Sequence, residues 1–173
     1  MIRILVADDH LVVREGVKRI LAGLDDMVVE AEAENGQETL EKVLQGSCDM
    51  VLLDISMPGR SGLEILEDIL TLKPKLPVLI LSMHPEEQYA VRALRAGASG
   101  YLTKASAAHE LIRAIRKVSQ GGKYVTASLA EKLAMELDSK AEKQLHEKLS
   151  NREYQVMLML ASGKTVGEIA EEL

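Results

Sequence analysis

Short, continuous runs of apolar residues alternate with helix-like segments along the first 122 residues, and this alternation constrains the fold more than any other feature. Continuous apolar runs are typical of strands that are buried on both faces of a parallel sheet. Between the runs, apolar residues recur every three or four positions, as they do along one face of a helix. The predicted strands occupy residues 2–7, 28–33, 50–54, 78–82 and 100–103.

Five strand–helix alternations predict a doubly wound α/β domain over residues 1–122, because right-handed crossovers place helices on both faces of a parallel sheet. Hydrophobic residues make up 47% of the chain, which is enough for a packed core. Aromatic residues make up only 2%, so this core must consist mainly of aliphatic side chains.

The pattern changes after residue 122, and no strand-like run of this kind returns. Residues 123–148 predict a short helix followed by a polar linker. Residues 149–173 contain two capping boxes, in which Ser150 is followed by Glu153 and Thr165 by Glu168. Each box can satisfy free backbone N–H groups in the first turn of a helix, so two further helices are expected there.

Charge and cysteine content narrow the class of protein. The net charge is −6, which is unlike that of a chain that binds nucleic acid over its whole surface. The single cysteine, Cys48, cannot form an intramolecular disulfide and fits a reducing compartment. No apolar run approaches the roughly 20 residues of a membrane span, and no signal peptide is apparent. We expect a cytoplasmic protein without a membrane segment.

Polar side chains follow four of the five predicted strands. Asp8 and Asp9 follow the first strand, Asp54 ends the third, Ser82 ends the fourth and Lys104 follows the fifth. In open α/β sheets, ligands bind at the carboxyl ends of the strands, which meet at one edge. The sequence therefore predicts a site of three carboxylates, a hydroxyl and an ammonium group.

The residue types at this edge indicate phosphoryl chemistry. Clustered carboxylates need a cation, and oxygen ligands with open positions suit Mg²⁺. A carboxylate can also act as the nucleophile that becomes an aspartyl phosphate. Lys104 and Mg²⁺ could neutralise the phosphoryl oxygens, and Ser82 could donate a hydrogen bond to one of them.

Four segments carry a family resemblance, and they occur in the family's order. Residues 6–10 (VADDH), 52–59 (LLDISMPG), 81–83 (LSM) and 100–104 (GYLTK) resemble the signature segments of bacterial receiver domains. The resemblance extends over about residues 2–120. It implies a flavodoxin-like sheet in the order 2-1-3-4-5. It also implies that a sensor histidine kinase phosphorylates the protein.

The resemblance also implies a role for each residue of the site. Asp54 is the implied phosphoacceptor and, with Asp8, Asp9 and the backbone carbonyl of Ser56, a ligand of Mg²⁺. Lys104 is the implied phosphate partner, and Ser82 and Tyr101 are the implied switch pair. Phosphorylation is then expected to draw Ser82 toward the phosphate and to let Tyr101 turn inward.

Two positions depart from the family's pattern. Ala105 follows the lysine where many receivers have proline, and a cis peptide is costly before a non-proline residue. Met83 follows Ser82 where many relatives carry a small residue, and its side chain could narrow access to the site.

Residues 149–173 resemble the beginning of a LuxR-type DNA-binding domain, so the whole chain resembles the NarL/FixJ response regulators. In that pattern the recognition helix follows residue 173. Between Lys143 and Leu173 there are four bases and five acids, without the excess of positive charge typical of DNA-binding domains. We therefore expect DNA binding only in a longer form, and homodimers on phosphorylation. The end of this chain is expected to be frayed or held by contacts with another copy.

Three alternative functions follow from the same residues. An aspartate-nucleophile phosphatase of the haloacid dehalogenase type has a second aspartate two residues after its nucleophile, where this chain has Ser56. A flavodoxin-like electron carrier has no need of a carboxylate cluster, which would repel a flavin phosphate. A receiver that acts by protein contact alone, without DNA binding, stays open. In each receiver interpretation the protein is not a conventional enzyme, although it promotes its own phosphorylation and dephosphorylation.

The four histidines show no metal-binding spacing along the sequence and are interpreted as surface residues. They are His10, His84, His109 and His146.

Overall fold

The structure is a computed structural model that describes residues 1–46, 48–138 and 149–173. Five strands form one sheet in the order β2-β1-β3-β4-β5, and every neighbouring pair is parallel. This confirms the predicted flavodoxin-like doubly wound sheet. The strands are β1 (Ile2–Ala7), β2 (Met27–Ala33), β3 (Met50–Leu53), β4 (Val78–Ser82) and β5 (Gly100–Thr103).

Within the described residues, a helix follows each strand and three more helices follow the sheet. The predicted short helix corresponds to α6, whereas the linker predicted beyond Asp138 lies outside the described residues. The helices are α1 (Leu11–Leu21), α2 (Gly36–Gln45), α3 (Gly62–Leu72), α4 (Glu86–Arg95), α5 (Ala108–Ser119), α6 (Ala127–Asp138), α7 (Asn151–Ala161) and α8 (Val166–Glu172).

The central strands are buried on both faces, which explains their continuous apolar sequences. On β1, Ile4 and Val6 pack into the cluster that includes α1 and α5. Leu5 and Ala7 point the other way, into the cluster that includes α2, α3 and α4. The alternation of side chains along a strand thus supplies both cores, and the carboxyl edge of the sheet is held between them.

The chain after α5 remains attached to the sheet domain. Tyr124 pairs with Gly100 through a single parallel bridge, and its N–H donates to the Ser99 carbonyl at 2.8 Å. Leu129 of α6 is buried in the same core as α3 and α4. Tyr124 and Leu129 are therefore packed against the sheet domain, although both follow the predicted boundary at residue 122.

Helices α7 and α8 both begin at the capping boxes predicted from the sequence. Tyr154 of α7 belongs to the core cluster on the α4 side of the sheet, so this part of the chain is not a detached tail. The expected fraying stays a prediction, and in this structure the last helix is packed through Ile169 and Leu173. Ile169 is buried, and the Arg152 guanidinium donates to the Leu173 carbonyl at 2.6 Å.

Candidate functional site

Charged side chains from three strand ends meet at the carboxyl edge of the sheet. Lys104, which follows β5, places its Nζ 2.8 Å from Asp54 Oδ2 and 2.7 Å from Asp8 Oδ2. Asp8 follows β1 and Asp54 follows β3, and these two strands are neighbours in the sheet. Asp9 is half-buried beside Asp8. The structure thus brings together the three carboxylates and the lysine that the sequence placed at this edge.

The carboxylate oxygens at this edge are incompletely satisfied. Asp54 is only 1% exposed, yet its Oδ1 atom accepts no hydrogen bond from the described residues. Asp8 Oδ2 lies near Lys104 Nζ and Asp9 Oδ1 near His10 Nδ1, but neither oxygen accepts a well-directed hydrogen bond from the described residues. Buried polar atoms without partners are costly, so these oxygens favour a cation. The donor set fits a hard divalent ion such as Mg²⁺.

Burial and neighbouring charges shift the pKa values of the Asp54–Lys104 ion pair in opposite directions. Burial raises the pKa of the Asp54 carboxyl, and the Lys104 ammonium opposes that rise. For Lys104, burial lowers the pKa, but the carboxylates of Asp54 and Asp8 outweigh it and the net shift is upward. Lys104 is therefore held in its charged form, as a partner of anionic oxygens must be.

Two histidines interpreted as surface residues lie at the site. His10 Nδ1 is 2.7 Å from Asp9 Oδ1, and ligand atoms of His10 and the three aspartates lie within 4.8 Å of one another. His84 Nε2 lies 3.0 Å from Ser56 Oγ. His10 is exposed, as interpreted, although its ring contacts the acidic cluster, whereas His84 is half-buried and the surface interpretation is wrong for it. Spacing along the sequence misses them because each reaches the site across a loop.

Ser82 and Tyr101 are joined through the backbone of His84. Ser82 Oγ accepts a hydrogen bond from the His84 N–H at 3.1 Å, and the Tyr101 hydroxyl donates to the His84 carbonyl at 2.8 Å. The Tyr101 ring is completely buried, and this burial raises the pKa of its hydroxyl. Tyr101 is therefore turned inward in this structure, and its response to phosphorylation stays a prediction.

Glycine at position 62 lets the α3 N-terminus approach the Asp54 backbone. A Cβ atom at Gly62 would lie 2.2 Å from the Asp54 carbonyl oxygen and 2.6 Å from the Ile55 Cα. Nearby, Gly59 has a φ of 86°, a conformation that favours glycine. The loop between β3 and α3 thus depends on glycines to hold Asp54. The described peptide bonds are all trans, Lys104–Ala105 included.

Arg14, which sequence reasoning missed, is a buried residue that holds the end of β1. Its side chain is 4% exposed and donates to the Asp8 backbone carbonyl at 2.8 Å. It also donates to Glu32 at 3.1 Å and to Glu34 at 2.5 Å. One guanidinium therefore ties the backbone of Asp8 to the end of β2.

Comparison with known proteins decides the family. A family model of the response regulator receiver domain matches residues 4–116, and one of the bacterial regulatory proteins of the luxR family matches residues 147–173. Response regulator GacA of Pseudomonas viridiflava is 37% identical over 174 residues, with 100% of this chain and 81% of the relative covered. The chain is a response regulator of the NarL/FixJ family.

Other relatives of this response regulator support the same assignment. Response regulator UvrY of Escherichia coli K12 is 36% identical, with 100% of this chain and 80% of the relative covered. A LuxR-family response regulator from Aurantimonas sp. SI85-9A1 is 33% identical with a TM-score of 0.73, over 80% of this chain and 99% of that one. The response regulator ChrA of a haem-sensing two-component system is 32% identical with a TM-score of 0.63, over 99% of this chain and 80% of that one.

In this response regulator, the first helix of the LuxR-type segment contacts the receiver. The Tyr154 hydroxyl donates to the Gln88 carbonyl at 2.7 Å. Arg92 of α4 stacks over the Tyr154 ring, with its guanidinium carbon 4.7 Å from the ring centroid, and donates to Asn151 Oδ1 at 2.8 Å. The sequence did not predict this contact. Within the described residues of the response regulator, no helix is both long and apolar enough to span a membrane.

Proposed function

We propose that Asp54 accepts a phosphoryl group from the phosphohistidine of a sensor histidine kinase, and that this modification controls transcription through the C-terminal helix-turn-helix. One observation carries the proposal. The buried Asp54 carboxylate has one oxygen on Lys104 and the other without a hydrogen-bond donor, beside Asp8 and Asp9. The oxygen without a donor supports Asp54 as the nucleophile, and the neighbouring carboxylates and Lys104 support the binding of a cation and an anion beside it.

The transfer requires little covalent chemistry from the protein. A carboxylate oxygen of Asp54 attacks phosphorus, the P–N bond of the phosphohistidine breaks, and its electron pair returns to the imidazole nitrogen. Lys104, whose Nζ lies 2.8 Å from Asp54 Oδ2, would contact the phosphoryl oxygens when Asp54 is modified. Mg²⁺, held by Asp8, Asp9, Asp54 and the Ser56 carbonyl, would supply further neutralisation of the developing charge.

The remaining parts of the proposal concern the response. Ser82 would turn from the His84 N–H toward the phosphoryl group, and the segment between β4 and α4 would move with it. We place the protein in the cytoplasm, where its kinase partner presents the phosphohistidine, and expect phosphorylation to promote a homodimer. Specific DNA binding by a form that carries the recognition helix stays a prediction. The protein acts as a regulator that promotes its own phosphorylation.

Acetyl phosphate provides a direct test without the kinase. The chain is incubated with acetyl phosphate, with and without Mg²⁺, and its intact mass is measured. We expect a gain of one phosphoryl group that requires Mg²⁺ and is lost in Asp54→Asn. Asp49→Asn, at an exposed aspartate paired with Arg3, is the matched control and should keep the gain. A gain that persists in Asp54→Asn, or that is independent of Mg²⁺, contradicts the proposal.

A further inference from the structure

His10 brings a nitrogen donor into the acidic cluster. Its Nδ1 atom lies 2.7 Å from Asp9 Oδ1 and 3.4 Å from Asp8 Oδ1. Although His10 is the N-cap of α1, its side chain makes no capping hydrogen bond. Its backbone N–H instead donates to Asp8 Oδ1 at 2.9 Å. The imidazole is therefore directed at the cluster and is not engaged in capping the helix.

The separations match those of atoms that share one metal ion. Two ligand atoms at right angles, each about 2.1 Å from an ion, lie about 3.0 Å apart. The two nitrogen–oxygen distances from His10 fall on either side of this value. The buried, unpartnered Oδ1 of Asp54 is an independent indication of a cation. The side chain of His10 is 62% exposed, so an ion could reach it from solvent.

We propose that His10 is a metal ligand, which makes this a mixed carboxylate–imidazole site that favours first-row transition-metal divalent cations over Mg²⁺. Imidazole nitrogen suits transition metals, whereas Mg²⁺ strongly prefers oxygen ligands. The inference rests on the metal site proposed above and deepens it. The site would accept Mg²⁺ through its oxygens alone, and Mn²⁺ or Co²⁺ through the same oxygens together with His10.

Mn²⁺ serves as the probe, because electron spin-echo modulation detects a directly bound ¹⁴N nucleus. The full chain loaded with Mn²⁺ should show nitrogen modulation. His10→Ala should abolish it, and His84→Ala is the matched control, since His84 contacts Ser56 without belonging to the ligand group. We expect His10→Ala to weaken Mn²⁺ binding by about tenfold and to change Mg²⁺ binding by less than about twofold.

The outcomes separate this inference from the proposed function. Tight Mn²⁺ binding by the unaltered chain without nitrogen modulation would overturn the role of His10, while Mg²⁺-dependent phosphorylation of Asp54 would still stand. Modulation that survives in His10→Ala would also overturn it. Failure to bind either ion would contradict the metal site as a whole. The unaltered chain gives a decisive spectrum even if a variant fails to fold.

Discussion

Tyr154 of α7 stands edge-on to Tyr89 of α4, with ring centroids 5.5 Å apart and ring planes at 89°. Tyr89 also lies 4.9 Å from the His84 ring. The backbone of His84 holds both Ser82 and Tyr101. A continuous series of contacts therefore runs from the carboxyl edge of the sheet, through α4, to the first helix of the LuxR-type segment. We expect a change at Asp54 that moves this region to alter the contacts between α7 and α4.

Tyr154→Ala should release α7 from the receiver. An edge-to-face aromatic pair contributes about 0.5–1.5 kcal/mol and a cation–π contact about 0.5–1 kcal/mol, so amide exchange across α7 should rise roughly tenfold. Exchange in β3 and β4 should stay unchanged. Hydrogen–deuterium exchange measures both, with Leu160→Ala as a control at an exposed site on the same helix. Equal exchange in the two variants would show that the contact does not hold α7.

Asp54→Asn should stabilise the protein at neutral pH without divalent ions. Burial raises the folded-state pKa of Asp54, so its contribution to the free energy of unfolding is full below the unfolded pKa and is lost as pH rises through the folded value. The ionised carboxylate is therefore unfavourable at pH 7. Each kcal/mol regained should raise Tm by about 2–4 °C. The gain should shrink toward pH 4, and thermal melts that show the reverse trend would contradict the burial argument.

Lys104→Met should have the opposite effect. It leaves the buried carboxylates of Asp8 and Asp54 without their cation, and loss of one partner of a buried pair costs on the order of 3 kcal/mol. Mg²⁺ should restore stability, by about 2.7 kcal/mol at one hundred times its Kd. Urea unfolding with and without Mg²⁺ tests both statements. If the variant were as stable as the unaltered chain, water would already solvate these carboxylates well enough to replace Lys104.

Gly62→Ala should damage the acceptor loop. The new methyl group meets the backbone of Asp54 and Ile55, which cannot move aside as a flexible side chain can, and overpacking costs about 1–3 kcal/mol. Both the extent of phosphorylation by acetyl phosphate and the free energy of unfolding should fall. Gly16→Ala is the matched control because a Cβ there meets no atom within 4 Å, and alanine favours the α1 helix by about 1 kcal/mol. Similar effects in the two variants would argue against a special role for Gly62.

Arg14→Met should weaken metal binding at a distance. Without the guanidinium, the Asp8 carbonyl and the carboxylates of Glu32 and Glu34 lose their common donor, so the carboxylate of Asp8 is less firmly placed. We expect a rise of about tenfold in the Kd for Mg²⁺, measured by calorimetry. Lys18→Met removes another partner of Glu32 from a more exposed position and should leave the Kd nearly unchanged. An unaltered Kd in Arg14→Met would limit Arg14 to a structural role.

The sequence by itself determined the sheet and the acidic edge. Continuous apolar runs specify strands buried on both faces, and a parallel sheet brings their carboxyl ends to one side, so Asp8, Asp54 and Lys104 had to lie close together. The capping boxes at Ser150 and Thr165 were also predictable from the sequence, because such a cap is a contact between residues three positions apart.

The tertiary structure alone decided which way the remaining side chains turn. Hydrophobic periodicity reports burial, but it carries no information about contacts between residues distant in the chain. Arg14 meets Glu32 across 18 positions, and Tyr154 meets Gln88 across 66. His10 joins the acidic cluster only because the loop after β1 directs its ring toward Asp9. These interactions depend on how loops and helices pack together, which is set once the whole core has formed.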